Sequence, residues 1–138
     1  MTTTTDALKT AVRRFIDAVD RQDWVTTKEV AAPSCRARVG GRDIDRDAWL
    51  GMGQMFAAAF PDGKHEIQDM IAEGDRVVVR GVWRGTHKGE FQGIPASGRA
   101  VAIDMTIIDR IVDGRIVEHF VLLDAMGLMQ QIGALPAH

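Results

Sequence analysis

The stretch Arg99–Leu135, RAVAIDMTIIDRIVDGRIVEHFVLLDAMGLMQQIGAL, decides the fold. Asp113-Gly114 separates two runs of alternating residues, the pattern of a β-hairpin with a two-residue turn. The strands read as Arg99–Ile111 and Arg115–Leu123. A short helix follows from Asp124 to Ile132, with Gly133 at its C′ position and Pro136 just beyond. A regular ladder from this turn pairs Ile111 with Ile116, Asp109 with Glu118, Ile107 with Phe120, Met105 with Leu122 and Ile103 with Asp124. One face then carries Ile103, Met105, Ile107, Ile116, Phe120 and Leu122, with Asp124 at its end. The other carries Asp104, Thr106, Ile108, Arg110, His119 and Val121.

Upstream of the hairpin the period is helical first and strand-like second. Leu8, Val12, Phe15 and Val19 recur at spacings of three and four, so residues 6–21 form an amphipathic helix capped by Thr5 or Asp6. Asp23 caps a shorter helix that ends before Pro33. Residues 35–43 read as irregular and Gly-punctuated. A third helix starts after Asp45, carries Trp49, Met52, Phe56 and Phe60 inward, and stops at Pro61. His65–Ala72 and Arg76–Arg84 then read as strands about a Gly74-Asp75 turn. Their regular alternation puts Glu66, Gln68, Met70, Val77, Val79, Gly81 and Trp83 on one face. His65, Ile67, Asp69, Ile71, Val78, Arg80, Val82 and Arg84 take the other. Helices first, an antiparallel meander second and one short helix last make an α+β domain rather than an alternating βαβ fold.

Length and composition narrow the function. The 138 residues fit one domain, 1–138, with a Thr-rich start over residues 1–5 that is expected to fray. The formal charge of −2 and the lack of a basic stripe argue against nucleic-acid binding. No apolar run is long enough for a membrane span, and the N-terminus lacks a secretory pattern. The single cysteine, Cys35, excludes an internal disulfide and points to a reducing, cytoplasmic setting. His65, His87, His119 and His138 show no metal-ligand spacing, so no metal is expected. No phosphate loop or dinucleotide fingerprint is present, so no cofactor is expected either. The chain contains no tyrosine and no asparagine, which excludes mechanisms that polarise a carbonyl with those side chains.

Two groups on the hairpin are candidates for proton transfer. Asp124 ends an apolar face, where desolvation raises a carboxyl toward a useful range; by spacing alone its first role is to cap the last helix, and the two roles can coexist. His119 is a proton carrier or a structural histidine. His65 and His87 read as strand-end and loop residues.

Three segments carry a resemblance. They are Phe60-Pro61-Asp62, the loop GTHKGEFQGIP at 85–95, and DGRIVEHF at 113–120 continuing through Asp124 to LMQQIG at 128–133. In this order and spacing the chain resembles the SnoaL-like polyketide cyclase family, within the wider NTF2-like superfamily, over about residues 8–135. The resemblance implies a cone: N-terminal helices packed in a curved antiparallel sheet around a deep cavity, with a short C-terminal helix. It implies a homodimer through the outer sheet face and intramolecular aldol chemistry without metal or cofactor. It also implies an aspartate general acid/base near the last strand, for which Asp124 is the positional match. A small hydrophobic molecule would meet Trp83, Met105, Ile107, Phe120, His87 and Phe56. The missing Tyr and Asn leave oxyanion stabilisation to His119, His87, Trp83, Gln68 or backbone N–H groups. A ligand-binding protein without catalysis, and a domain whose function is its dimer surface, are the alternatives.

Overall fold

Leu8, Ala11, Val12, Phe15 and Ile16 line one side of α1 (Thr4–Asp20), and all five are buried. That stripe seats the helix on the sheet. In the computed structural model, which describes residues 4–136, α1 is followed by α2 (Trp24–Val30), β1 (Ala31–Val39), β2 (Arg42–Asp45) and α3 (Arg46–Ala59). The chain continues through β3 (Lys64–Glu73), β4 (Arg76–Thr86), β5 (Ala100–Val112), β6 (Arg115–Leu123) and α4 (Ala125–Gln131). Thr4 and Thr5 already belong to α1, and the rest of the expected fraying segment lies outside the described residues.

Three aspartates start three helices. Asp23 accepts from Thr26 N, Asp45 from Ala48 N and Asp124 from Gly127 N, each satisfying a donor that has no partner within the helix. Asp113 and Gly114 both have positive φ, 52° and 76°, as a tight turn of the right-handed hairpin type requires.

The six strands form one sheet in the order β2-β1-β6-β5-β4-β3. Every neighbouring pair is antiparallel except β1–β6, which is parallel. Residues 35–43, expected to be irregular, instead supply most of β1 and the start of β2. Pro33 is tolerated because the β1–β6 register breaks between Ala31 and Arg36, so no ladder bond is needed there. The helix α1 packs against β3 to β6, and α3 against β1 and β2.

Two further register breaks change which residues face the helices. In β6, Arg110 opposes Glu118 while Ile111 opposes Ile116, so Val117 is an extra residue. In β3, Ile67 opposes Gly81 while Asp69 opposes Arg80, so Gln68 is extra. A bulge of this kind restarts the alternation on the opposite phase. The regular-ladder pairing of Ile107 with Phe120 and Met105 with Leu122 is therefore corrected to Ile107–Val121 and Met105–Leu123. His119, Val121 and Leu123 turn inward, while Phe120 and Leu122 turn outward and are exposed. The second bulge turns His65 and Ile67 inward and leaves Gln68 exposed, bonded to Arg80.

Candidate active site

The inner face of β5 reads Ile103, Met105, Ile107, Asp109, Ile111, and all five are buried. One ionisable residue therefore interrupts an otherwise apolar row. Asp109 is only 1% exposed, and its register partner is His119, 6% exposed. Nδ1 of His119 lies 2.6 Å from Oδ1 of Asp109. A buried carboxylate needs a donor, so Nδ1–H donates to Asp109 and Nε2 is the ring nitrogen left for another molecule. The face of the His119 ring stacks on Trp49, 4.1 Å between centroids, and Trp49 stacks in turn on Phe15 at 4.8 Å.

This pair lines a cavity of about 150 Å³ between α1, α3 and the inner sheet face. At the far end Phe56 and Phe60 lie stacked, and Trp83 meets both rings edge-on. The wall between them includes Ile16, Val19, Leu50, Ile107, Val121 and Leu123. Its polar side chains are Asp20, Gln22, His65, Asp109 and His119, with three tryptophan indoles. Nδ1 of His65 lies 2.6 Å from Oδ1 of Asp20, a second His–Asp contact on the same cavity. Among the described residues no group of three or more His, Cys, Asp or Glu is placed to hold a metal ion.

The sequence candidates divide on this geometry. His119, Trp83, Ile107 and Phe56 line the cavity together. Asp124 does not: it is exposed, and its carboxylate is committed to the start of α4. Phe120 lies on the outer face, displaced by the Val117 bulge. Met105 is buried in the core against Gly81 and does not line this cavity. His87 is fully buried under the 87–98 loop, where Nδ1 accepts from Ser97 N at 3.1 Å and the ring stacks on Phe60. It supports the aromatic end of the cavity from behind. Gln68 faces outward.

Asp109, Asp20 and His65 were not singled out by sequence reasoning. Asp109 carried a legible signal, a carboxylate on the buried period of β5. His65 carried none, because its inward orientation depends on an unpaired Gln68 downstream.

The family model described as SnoaL-like polyketide cyclase matches residues 9–132. The chain is 34% identical to IdmH, a candidate polyketide cyclase from Streptomyces antibioticus, with a TM-score of 0.83 over 91% of this chain and 98% of that one. It is 26% identical to AclR, a candidate hydroxylase from Streptomyces galilaeus, with a TM-score of 0.91 over 98% of this chain and 86% of that one. TsrD from Streptomyces laurentii is also 26% identical, with a TM-score of 0.83 over 94% and 96% of the two chains. No match is found among the curated proteins.

Proposed function

Because the chain belongs to the SnoaL-like polyketide cyclase family, we propose that it catalyses acid/base chemistry on a hydrophobic carbonyl compound, with His119 as the base. The observation that carries this reading is the buried His119–Asp109 pair on an apolar cavity wall. Removing a proton from carbon next to a carbonyl needs a base at hydrogen-bond reach of that carbon. Nε2 of His119 supplies the lone pair. Asp109 holds the ring in the tautomer that keeps this lone pair free and offsets the imidazolium charge once the proton is taken. The aromatic walls exclude water from the enolate. Ring closure follows when the enolate carbon attacks a second carbonyl of the same molecule, and no cofactor is needed for either step.

The test uses 2-tetralone, an apolar ketone with acidic C–H bonds. In deuterated buffer the protein should accelerate deuterium uptake at the carbons flanking the carbonyl, followed by NMR. His119→Gln should bring the rate down to that of buffer. A His119→Gln variant that retains the wild-type exchange rate removes the base from this reading.

We also propose that the active species is a homodimer joined through the outer sheet face. Ile71, Val78, Ile108 and Phe120 are successive register partners across β3, β4, β5 and β6. They form one apolar row, with Ile71 62% and Phe120 36% exposed. The neighbouring rows carry Asp69 with Arg80 on one side and Arg76, Arg110 and Glu118 on the other. An apolar stripe between rows holding both signs of charge suits a second copy of the same surface.

A further inference from the structure

His65 would point to solvent on a regular β3 strand; the extra Gln68 turns it into the cavity. It meets Asp20, the last residue of α1. Both oxygens of Asp20 are used: Oδ2 accepts the His65 backbone N–H at 3.0 Å, and Oδ1 lies 2.6 Å from Nδ1 of the ring. The backbone bond alone would tie α1 to β3. The ring bond adds a fixed direction for a side chain on the cavity wall. Nε2 of His65 has no hydrogen-bond partner among the described residues, and it is not sealed in: the one buried unpaired side-chain atom among them is Nε2 of His87. The side chains of His65 and Asp20 are 17% and 16% exposed and line the cavity, so a molecule inside it reaches the ring.

The surroundings of Nε2 define the group it meets. His65 is the register partner of Trp83. Partners on one face stand side by side, with Cβ atoms about 4.5–5.5 Å apart. Phe56 and Phe60 meet Trp83 edge-on at 5.6 and 5.0 Å. One polar atom therefore stands at the margin of an aromatic wall, where a flat apolar ring packed on Trp83 brings a substituent to it. The other polar side chains at this end are spent or one-sided. Asp20 already accepts at both oxygens, Nε2 of Gln22 is committed to Pro61 O at 3.2 Å, and the tryptophan N–H groups only donate. Nε2 accepts when the ring is neutral and donates when it is protonated. A hydroxyl answers both forms, because it carries a proton and lone pairs. A carbonyl oxygen answers only the second, and a carboxylate would face the charge of Asp20.

We propose that His65 is a specificity residue of this cavity: its Nε2 pairs with a hydroxyl on the ligand ring that lies against Trp83, and Asp20 is the positioning residue that aims it. The proposal deepens the reading of the cavity as a substrate site and rests on it. The hydroxyl is read away from the chemistry, because Trp83 opposes Ile103, six positions along β5 from Asp109. His65 therefore takes no part in proton transfer at the reacting carbons. Among hydrophobic carbonyl compounds it selects those with a hydroxyl at the end remote from His119. An analogue with a methyl group there takes water from Nε2 and returns no hydrogen bond, which is what sets the preference.

The test compares 2-naphthol with 2-methylnaphthalene, which share a ring system and differ in the hydroxyl. The readout is the ratio of their dissociation constants, methyl over hydroxyl, from isothermal titration. His65→Leu should lower this ratio about ten-fold, the weight of one buried hydrogen bond left unmade. Asp20→Ala should lower it about three-fold, the cost of ordering a freed side chain, with 2-methylnaphthalene bound as in the wild type. A merely structural Asp20 would weaken both ligands alike. His119→Gln should leave the ratio unchanged. In the ¹⁵N-labelled wild type, 2-naphthol should move the His65 Nε2 signal well beyond the shift that 2-methylnaphthalene gives, a measurement that needs no variant to fold. A ratio unchanged in His65→Leu, a ratio that falls in His119→Gln instead, or a wild type that binds neither compound overturns the proposal. The ratio reports binding and the base reading is an exchange rate, so each fails separately. Loss of 2-tetralone exchange in His119→Gln leaves the base in place whatever the ratio does.

Discussion

Asp109 and His119 face one another across β5 and β6 because Val117 is one residue too many for a regular ladder. A buried pair formed this way should act as a unit. Asp109→Asn is expected to lower 2-tetralone exchange by about 10²-fold, the usual scale of general base catalysis. The double variant with His119→Gln should lose no more than His119→Gln alone, because Asp109 acts only through the ring. NMR exchange rates of the three variants check this. Multiplicative losses in the double variant would mean that the two side chains act separately.

Asp124 accepts the Gly127 N–H at 2.9 Å and stands outside the cavity lining. Asp124→Ala should therefore cost about 1 kcal/mol, the typical value of a lost helix cap. Urea denaturation measures that cost. Tetralone exchange at a temperature where the variant stays folded should match the wild type.

Gly81 opposes Ile67 beside the Gln68 bulge. A Cβ there would run into the Glu66 carbonyl and crowd the Met105 methyl. Gly81→Ala is expected to destabilise the protein by about 1–3 kcal/mol, the range for a forced overlap in a packed interior. It should also disturb His65, one residue beyond Glu66. A lowered melting temperature together with a shifted His65 ring signal is the expected pair of readouts.

Cys35 is buried, and burial first, then the Asp109 charge, push its thiol up to about 12 from an ordinary 9.0. The folded state holds the proton that the unfolded chain gives up, so the linkage sign is negative with rising pH. This contribution is whole below about pH 9 and is lost progressively as the pH rises toward about 12. Urea midpoints should fall over that interval, and more steeply than in Cys35→Ala. In the native protein at pH 8, a thiol reagent should react only after denaturant is added.

Phe120 and Leu122 project from the outer face, at 36% and 63% exposure. Phe120→Glu and Leu122→Arg should convert a dimer to a monomer in light scattering on a sizing column, with little change in the far-UV spectrum. A wild type that elutes as a monomer at micromolar concentration removes the dimer proposal.

Much was legible in the sequence because it is local. The 3.6-residue stripe of α1, the aspartate caps at 23 and 124, the helix start after Asp45 and the Asp113-Gly114 turn each depend on residues within a few positions. Trp49, Met52, Phe56 and Phe60 face inward as their spacing predicts, and all four line the cavity. The strands β1 and β2 were not legible, because β1 is held in place by β6, about eighty residues later in the chain.

The candidate site divides in the same way. The sequence by itself determined the family, the α+β order, the apolar inner face of β5 and the absence of Tyr and Asn. Only the tertiary structure decided which histidines face the cavity. Strand alternation has a period of two, so one unpaired residue reverses every assignment beyond it. Local sequence does not reveal whether Gln68 and Val117 will be left unpaired; that depends on the strands β4 and β5 across from them. Those two residues turn His65 and His119 inward, each onto a carboxylate, and leave Asp124 to its helix.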